Sequence, residues 1–514
     1  MEAGGEDLPY ICGSTIRSRP VNDDRSRLKR VLSQCLAAFA ANTVMFTTGN
    51  LYGFSAVLID KLYKNDAGIE CSSNSISWLG SHLFLTPVGT IVIGMIAQYW
   101  GSKRSMMIAT LCHGIAWLIF YHATNVSMLL VATGISGFFV AICSSVTYVA
   151  EISEPQLRSV ILSTTTFSLT FGSLVTVSLG ALLHWRIIAL VNLVTVVAGF
   201  AMLLSVPESP HWLASKGRFR EAEQELAWLR GWTNLENVKI ELQTMKKAFT
   251  DREIASADAF HTSTNKIKNF IERYFDRSLY MPMIALCYMS MIRNLSGSIT
   301  VKLFGGVIFQ IIDAPFKEYL MALIFVFRMS GTITYVCCVR SFGKRKLACF
   351  TLAVAGICLL VAAASIIFRK QNQNDTVVTV WVPVILIMIT NFVICAGYDP
   401  AVNDLNGELF PSEYRNIGSG IGNFSSSIFA NATNKSFLFL ISLVNLEGVL
   451  LLWSLSSLIG AATFCYVIPV TEGKSLIEIE NHYRQNLKRN KNSMASSASR
   501  KPFLKDLKIT TEKL

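Results

Sequence analysis

Long apolar runs dominate this sequence, and they limit what the chain can fold into more than any other feature. Apolar residues make up 52% of the 514 residues, while charged residues make up only 16%. The apolar residues gather in runs of about 20 to 30, the length at which a helix crosses a hydrocarbon layer roughly 30 Å thick. Within lipid each segment must satisfy its own backbone polar groups, so these runs predict membrane-spanning helices.

The runs predict an all-α membrane protein with twelve transmembrane helices. We place the helices at residues 31–59, 76–98, 105–124, 128–150, 160–183, 186–205, 278–312, 319–339, 347–367, 379–407, 415–442 and 447–469. The chain then divides into an N-terminal tail (1–30), a six-helix half (31–205), a linker (206–277), a second six-helix half (278–469) and a C-terminal tail (470–514). Apolar residues at helical spacing in the linker, such as Ala222, Leu226 and Leu229, predict short amphipathic helices that pack under the bundle.

The basic residues predict the orientation of the chain and explain its net charge of +12. They cluster in both tails, in the linker and in alternate turns, which places these segments in the cytoplasm by the positive-inside rule. Contacts with anionic lipid account for this charge without nucleic acid. The first apolar run is too long for a cleavable signal peptide, so we expect a multi-pass protein of the plasma membrane. The sequons at Asn125 and Asn374 then fall in outer loops, where glycosylation is expected.

Three short motifs occur once in each half, and each pair follows the same ordinal helix. A basic turn follows the second and eighth helices, an acid and an arginine seven residues apart follow the fourth and tenth, and a Pro-containing acidic segment follows the sixth and twelfth. The pairs are Gly101, Lys103 and Arg104 with Gly343, Lys344 and Arg345; Glu151 and Arg158 with Glu408 and Arg415; and PESP at 207 with PVTEG at 469. Parallel six-helix repeats are typical of transporters whose halves move about a central site.

The motifs resemble those of the sugar porters of the major facilitator superfamily, most closely the insect facilitated trehalose transporter-like branch. PESPHWL (207–213), YVAEISEPQLRS (148–159), ELFPSEYR (408–415) and PVTEGKSLIEIE (469–480) stand in the family's order. The resemblance covers residues 31 to 485. It implies the major facilitator fold of two parallel six-helix halves with cytoplasmic helices. It also implies facilitative, alternating-access transport of a small polar solute, most readily a hexose or trehalose, with no cofactor or metal and with a monomer sufficient.

The resemblance also implies a gate at the cytoplasmic face. In the family, the charged residues at the positions of Arg104, Arg345, Glu151, Arg158, Glu408 and Arg415 hold the inward gate shut, beside the turns at Gly101 and Gly343, with Lys103, Lys344 and Glu208 among the motif residues. Such a network biases a two-state equilibrium because it is made in one state and broken in the other. The basic turns have lost part of the family pattern, since Gln98 and Tyr99 replace the expected acid and arginine. A role limited to orientation is the alternative.

The central cavity departs further from the resemblance. The positions that align with the family's sugar-contacting residues are Thr166, Arg293, Asn294, Arg328 and Asn403, and most of the usual identities are replaced. We take these five as candidate substrate-binding residues. Ser296 and Gly297 remain and predict a break in the seventh helix, whose freed backbone groups could line the cavity.

Unusual charge at membrane depth is the other feature of the cavity. Arg293, Arg328 and Lys302 are predicted to lie there together with Asp399 and Asp404. A charge at this depth is expensive unless it is paired or hydrated, so it marks a functional candidate. Two hypotheses remain open: the arginines bind an anionic substrate, or they pair with Asp399 and Asp404 in a structural or gating network.

The leading hypothesis is a facilitative sugar carrier. The first helix carries no acid before Asp60, whereas proton-coupled sugar porters resemble one another in having an aspartate there, so a uniporter is favoured. The alternatives are an organic-anion carrier that uses the cavity arginines, and a transport-incompetent sensor that keeps the fold. The motifs of metalloproteases, serine hydrolases and P-loop enzymes do not occur in the sequence, so we do not expect an enzyme.

Overall fold

Helices account for the secondary structure of the described chain. The computed structural model describes residues 24–81, 85–154, 157–243, 245–247, 277–372, 377–408 and 415–467. The C-terminal tail, most of the N-terminal tail and the sequon at Asn374 lie outside these ranges, as do the side chains of Glu408 and Arg415.

The first half contains eight helices. They are α1 (Asp24–Tyr63), α2 (Ser73–Gly80), α3 (Thr86–Trp100), α4 (Ser102–His122), α5 (Val126–Phe138), α6 (Ile142–Ile152), α7 (Arg158–Gly180) and α8 (Trp185–Leu204). Two short helices of the linker follow, α9 (Pro210–Ser215) and α10 (Phe219–Leu229). The predicted linker stripe is present, because Ala222, Leu226 and Leu229 are all buried.

The second half contains seven helices. They are α11 (Arg277–Leu295), α12 (Ser298–Ile311), α13 (Lys317–Phe342), α14 (Lys344–Asn372), α15 (Val377–Cys395), α16 (Tyr398–Glu408) and α17 (Arg415–Val467). The last of these changes direction at Asn445, which has a left-handed φ of 57°. It therefore forms two successive passes.

Eight helical segments of the described chain are long and apolar enough to cross a membrane, and one of them runs from Val378 in α15 to Leu405 in α16. One of the eight is α17, which supplies two passes. The remaining predicted spans are interrupted: α2 and α3 share one, α5 and α6 another, and α11 and α12 a third. Counted in this way, the helices agree with twelve passes. The sequence predicted one of the breaks, since α11 ends just before Ser296 and Gly297 adopts a φ of +78°.

Apolar side chains cover the outside of the bundle. Val194, Val197 and Phe350 are each more than 60% exposed. A protein surrounded by water rarely exposes so much apolar surface, whereas a surface in contact with lipid does so at no cost. Glycines and small residues lie instead between the helices.

Close contact between α1 and α7 organises the first half. A Cβ on Gly49 would lie 2.0 Å from the backbone oxygen of Leu169, and one on Gly172 would lie 2.2 Å from that of Phe46. The hydroxyl of Ser173 donates a hydrogen bond of 2.8 Å to the backbone oxygen of Gly49. Small residues permit such approach in membranes, where packing replaces the hydrophobic effect as the force that joins helices.

The two ends of the bundle carry different residues. We call the end that carries Asp60, Ser77 and Glu318 the Asp60 end. The opposite end, with Gly101, Glu208 and Gly343, is the Gly101 end.

Replacement of Gly49 by leucine is expected to destabilise the protein, because the side chain would force α1 away from α7. We expect thermal unfolding of the detergent-purified variant at a clearly lower temperature, or little folded protein in the membrane. Gly94→Leu is the matched control, since a Cβ at Gly94 meets no atom within 4 Å. Equal stability of the two variants would contradict the assigned α1–α7 contact.

Candidate functional site

Breaks in two helices create the polar centre of the second half. The first lies between α11 and α12, and the second lies between α15 and α16. Arg293 lies in the last turn of α11, Ser298 begins α12, and Asp399 lies in the first turn of α16. Because backbone N–H groups at a helix start are unpaired and carry partial positive charge, the first turn of α16 favours the carboxylate of Asp399.

Asp399 accepts hydrogen bonds from both cavity arginines. Its Oδ1 atom lies 3.1 Å from Nε of Arg293, and its Oδ2 atom lies 3.0 Å from Nη2 of Arg328. The Asp399 side chain is only 7% exposed, against 19% for Arg293 and 12% for Arg328. In such a site a charge-assisted pair is strong, and loss of either partner leaves an uncompensated charge.

Arg328 connects the two helix breaks. Its Nη1 atom donates to Oγ of Ser298 at 2.8 Å and to Oδ1 of Asn391 at 3.1 Å. Asn391 lies on α15, two turns before Asp399 on α16. One guanidinium on α13 therefore fixes the positions of α12, α15 and α16 relative to one another.

Arg293 extends from the same carboxylate towards an open cleft. Its Nη1 atom donates to Oδ1 of Asn403 at 3.0 Å, and both residues line the cleft. The enclosed part of the cleft has a volume of only about 10 Å³, room for about one water molecule, and the rest of it is open to solvent. The other lining residues are Leu286, Ser290, Val402, Gly422, Asn423 and Ser426.

The hypothesis that one of the arginines pairs with Asp404 is wrong. Asp404 accepts a hydrogen bond of 2.7 Å from the hydroxyl of Tyr335, and its Oδ2 atom lies 3.5 Å from Nζ of Lys344. Asp404 lies five residues after Asp399 on α16, and that distance takes it towards the Gly101 end. Thus Asp399 pairs with both arginines, and Asp404 pairs with Lys344 in the basic turn after α13.

The remaining candidate residues lie apart from Asp399. Asn294 is fully buried and donates through Nδ2 to the backbone oxygens of Ser290 and Ser426, so its amide joins α11 to α17. Thr166 is exposed on α7 in the other half. Of the five candidates for substrate binding, the structure brings Arg293, Arg328 and Asn403 together. Substrate binding by all five stays a prediction.

Cationic side chains join the two halves. Nζ of Lys302 lies 3.9 Å from the ring centroid of Tyr52 on α1. At the Asp60 end, Nζ of Lys435 donates to Oδ1 of Asn74 at 2.9 Å and lies 4.1 Å from the ring centroid of Trp78. Lys302 therefore contacts an aromatic ring instead of extending freely to the membrane surface.

The Asp60 end is closed by further contacts across the halves. Lys64, the residue after α1, lies 2.6 Å from Asp60 in the last turn of α1 and 3.5 Å from Glu318 at the start of α13. The hydroxyl of Ser77 donates to the backbone oxygen of Lys435. These contacts were not predicted from the sequence, although the single lysine in the apolar run 428–444 was a signal for Lys435.

At the Gly101 end, Glu208 caps the start of α4. Its Oε1 atom accepts from the backbone N–H groups of Lys103 at 2.9 Å and Ser209 at 3.1 Å. Burial raises the pKa of Glu208, and these hydrogen bonds oppose that rise. Gly101 has a φ of +102°, and a Cβ there would lie 2.5 Å from Oε2 of Glu208. Gly101 of the basic turn and Glu208 of the PESP motif thus form the N-terminal cap of α4 together.

Glu151 contacts the same segment. One of its carboxylate oxygens accepts a hydrogen bond from the hydroxyl of Ser209, and the hydroxyl of Tyr148 donates to the backbone oxygen of Pro207 at 2.7 Å. Within the described ranges, no ion pair joins Arg104, Glu151 and Arg158 to one another. The gating network predicted from the resemblance stays a prediction.

A second ionic cluster at this end was not predicted. Glu154 lies 3.5 Å from Arg230 of the linker and 3.9 Å from Arg30 on α1, and Arg230 also lies 2.6 Å from Glu241. These residues fix the linker to the first half. Among the described residues, no group of His, Cys, Asp and Glu is arranged to hold a metal ion.

Comparison with known proteins gives matches along most of the chain. The family described as sugar (and other) transporter matches residues 34–483. The facilitated trehalose transporter Tret1 of Bombyx mori is 28% identical over 453 residues, which cover 87% of this chain and 86% of the relative. The sugar transporter ERD6-like 6 of Arabidopsis thaliana is 26% identical over 469 residues, which cover 88% and 90%.

Solved structures show the same fold. The inward open conformation of the xylose transporter XylE from E. coli matches with a TM-score of 0.67 at 16% identity, over 86% of this chain and 99% of XylE. XylE bound to 6-bromo-6-deoxy-D-glucose gives a TM-score of 0.67 at 18% identity, over 87% and 99%. The likeness at this identity concerns the fold, which is the major facilitator arrangement of two six-helix halves.

Replacement of Asp399 by asparagine is expected to destabilise the protein by about 3 kcal/mol or more, because two buried guanidinium groups lose their counter-ion. Thermal unfolding of purified protein, with surface abundance in cells, measures this effect. Asp313→Asn is the matched control, since the Asp313 side chain is 80% exposed and lies 3.8 Å from Arg369. The control should change stability by less than about 1 kcal/mol. Equal effects would show that Asp399 does not hold the site together.

Proposed function

Because the chain belongs to the sugar (and other) transporter family, we propose that it is a facilitative carrier that moves a sugar across the membrane by alternating access. A hexose or trehalose is the first candidate solute. Relatives named as facilitated trehalose transporters support this choice, at 28% identity in the example from Bombyx mori. The activity requires no enzyme chemistry, since the solute crosses unchanged.

One observation carries the mechanism: the halves are joined by Lys64, Glu318, Ser77 and Lys435 at the Asp60 end, while the polar cleft lies on the other side of Asp399. Such an arrangement suits a carrier that is closed at one end and open at the other. Transport then requires these contacts to break while others form at the Gly101 end.

The Gly101 end is proposed to face the cytoplasm, and the protein to lie in the plasma membrane. The linker and the basic turns with Lys103 and Lys344 are at this end, as the positive-inside rule requires. Asn125 is exposed after α4, at the Asp60 end, where a glycan could be attached from outside. Its Oδ1 atom also caps α5 by accepting from the backbone N–H of Met128 at 3.0 Å.

The predicted charge network would act in the opposite state. Arg104 and Arg158 are exposed at the Gly101 end, and Glu151 is held by Ser209. We propose that approach of the halves at this end brings the basic turns against the carboxylates of the opposite half. The cost of separating the Asp60 end would then be offset by contacts at the Gly101 end.

Proton coupling is not needed for this proposal. Between Asp24 and Asp60 the first helix carries no acidic residue. Asp60 itself lies against Lys64 and next to Gly306 of the opposite half, so it takes part in closing the Asp60 end. Uniport driven by the solute gradient is therefore the proposed mode.

The first experiment is uptake of labelled glucose and labelled trehalose by oocytes, with surface protein quantified in parallel. We expect saturable uptake of at least one sugar that changes little when the outside pH is lowered. Water-injected oocytes control for endogenous transport. A rise of uptake with outside acidity would indicate proton coupling, and no uptake of either sugar at good surface expression would contradict sugar transport.

Alternating access is tested by locking the Asp60 end. The variant with both Ser77→Cys and Lys435→Cys places two thiols where the Ser77 hydroxyl contacts the Lys435 backbone. Oxidation should abolish uptake, because the joined halves cannot separate, and reduction should restore it. The two single variants control for the native cysteines. Unchanged uptake by a demonstrably cross-linked protein would contradict the mechanism.

A further inference from the structure

The central site holds more positive than negative charge. Asp399 is the carboxylate that pairs with Arg293 and Arg328, and among the described residues no other carboxylate lies within 4 Å of either guanidinium. Asp404 cannot neutralise the site because it pairs with Lys344. Two guanidinium groups and one carboxylate leave one net positive charge where burial makes it expensive.

Arg293 keeps part of its hydrogen-bonding capacity unused. Its Nε atom donates to Asp399 and its Nη1 atom donates to Asn403. Within the described residues its Nη2 atom donates to no protein atom, although the side chain is 19% exposed and lines the cleft. The geometry leaves two N–H groups for an acceptor that enters the cleft, and carboxylates and phosphates are the acceptors that a guanidinium matches best.

The rest of the cleft is suited to hydroxyl groups. Ser290, Asn403 and Ser426 provide hydroxyl and amide groups at its wall, and Leu286 and Val402 provide apolar surface. An acceptor-only ligand would not use the hydroxyl and amide groups fully, because these groups both donate and accept. A ligand with several hydroxyls and one anionic group would use both the N–H groups of Arg293 and the hydroxyl and amide groups of the wall.

We infer that this carrier also takes an anionic sugar, a polyhydroxylated monocarboxylate, and binds it in preference to a neutral hexose. Its carboxylate binds Nη2 of Arg293, and its hydroxyls bind Asn403 and the neighbouring serines. A monoanion matches the excess charge of the two arginines over Asp399, and it costs less to desolvate than a phosphate monoester, which carries nearly two charges at neutral pH. Lys302, which contacts Tyr52 near the same site, adds to the positive field. This inference rests on the proposed carrier function and specifies its solute.

Binding to purified protein tests the inference without relying on transport. The probes are glucuronate, its uncharged methyl ester and glucose, with galacturonate and galactose as a second set. Thermal stabilisation as a function of ligand concentration gives the affinity of each. We expect each acid to bind at least about tenfold more tightly than its uncharged counterpart, and added salt to reduce the difference.

Arg293→Gln is the decisive variant, because it removes the excess charge and leaves the Asp399–Arg328 pair. It should abolish the preference for the acid while glucose binding is retained or improved. Arg369→Gln is the matched control, since this arginine lies away from the cleft and contacts Ile312 and Asp313. The control should preserve the preference.

Each outcome has a distinct meaning. Equal or tighter binding of the uncharged sugars would overturn the inference and leave sugar transport intact. A preference for acids that survives in Arg293→Gln would also overturn it, because the charge would act elsewhere. If no acid binds, the inference fails, and sugar transport is then judged by glucose and trehalose uptake alone.

Discussion

The sharing of the Asp399 carboxylate by two arginines is the interaction on which the centre of this protein depends. Arg293 and Arg328 come from different helices and would repel each other without it. Its position in the first turn of α16 adds the favourable field of a helix start. The break before α16 is therefore required, because a continuous helix would offer no unpaired N–H groups beside the carboxylate.

The same pairing links charge to helix geometry. Arg328 reaches Ser298 at the start of α12 as well as Asp399, so both breaks are fixed by one side chain. Hydrogen bonds are strong in this site because little water competes, and for the same reason an unpaired group is costly. A change in the charge of the site is therefore expected to change the packing of α12 and α16.

Different kinds of contact stabilise the two ends of the bundle. At the Asp60 end the halves are held by lysines such as Lys64 and Lys435, in partly exposed pairs worth about 1 kcal/mol or less each. At the Gly101 end Glu208 and Glu151 make their described contacts within the first half. Contacts across halves are thus individually weak, which suits an interface that must open and close.

The sequence indicated which residues were unusual but not how they would be distributed. Charge at membrane depth singled out Arg293, Arg328, Asp399 and Asp404, and pairing of the arginines with both aspartates was one of two open hypotheses. The structure gives both arginines to Asp399, because five residues along α16 carry Asp404 beyond their reach. Asn294 shows the same limit, since its neighbour Arg293 faces the cleft while its own amide turns to α17.

Apolar runs and repeated motifs in the sequence predicted the membrane helices, a count of twelve with which the described helices agree, and the repeat of two halves. These follow from local causes: apolar runs of membrane length and motifs at matching positions after corresponding helices. The break at Gly297 was also local, because glycine tolerates a left-handed φ. Packing in three dimensions establishes which charges meet, which glycines let α1 approach α7, and which end of the bundle is closed. Those features depend on distances between residues far apart in the sequence, such as Arg328 and Asp399, which are 71 positions apart, and periodicity along the chain carries no information about them.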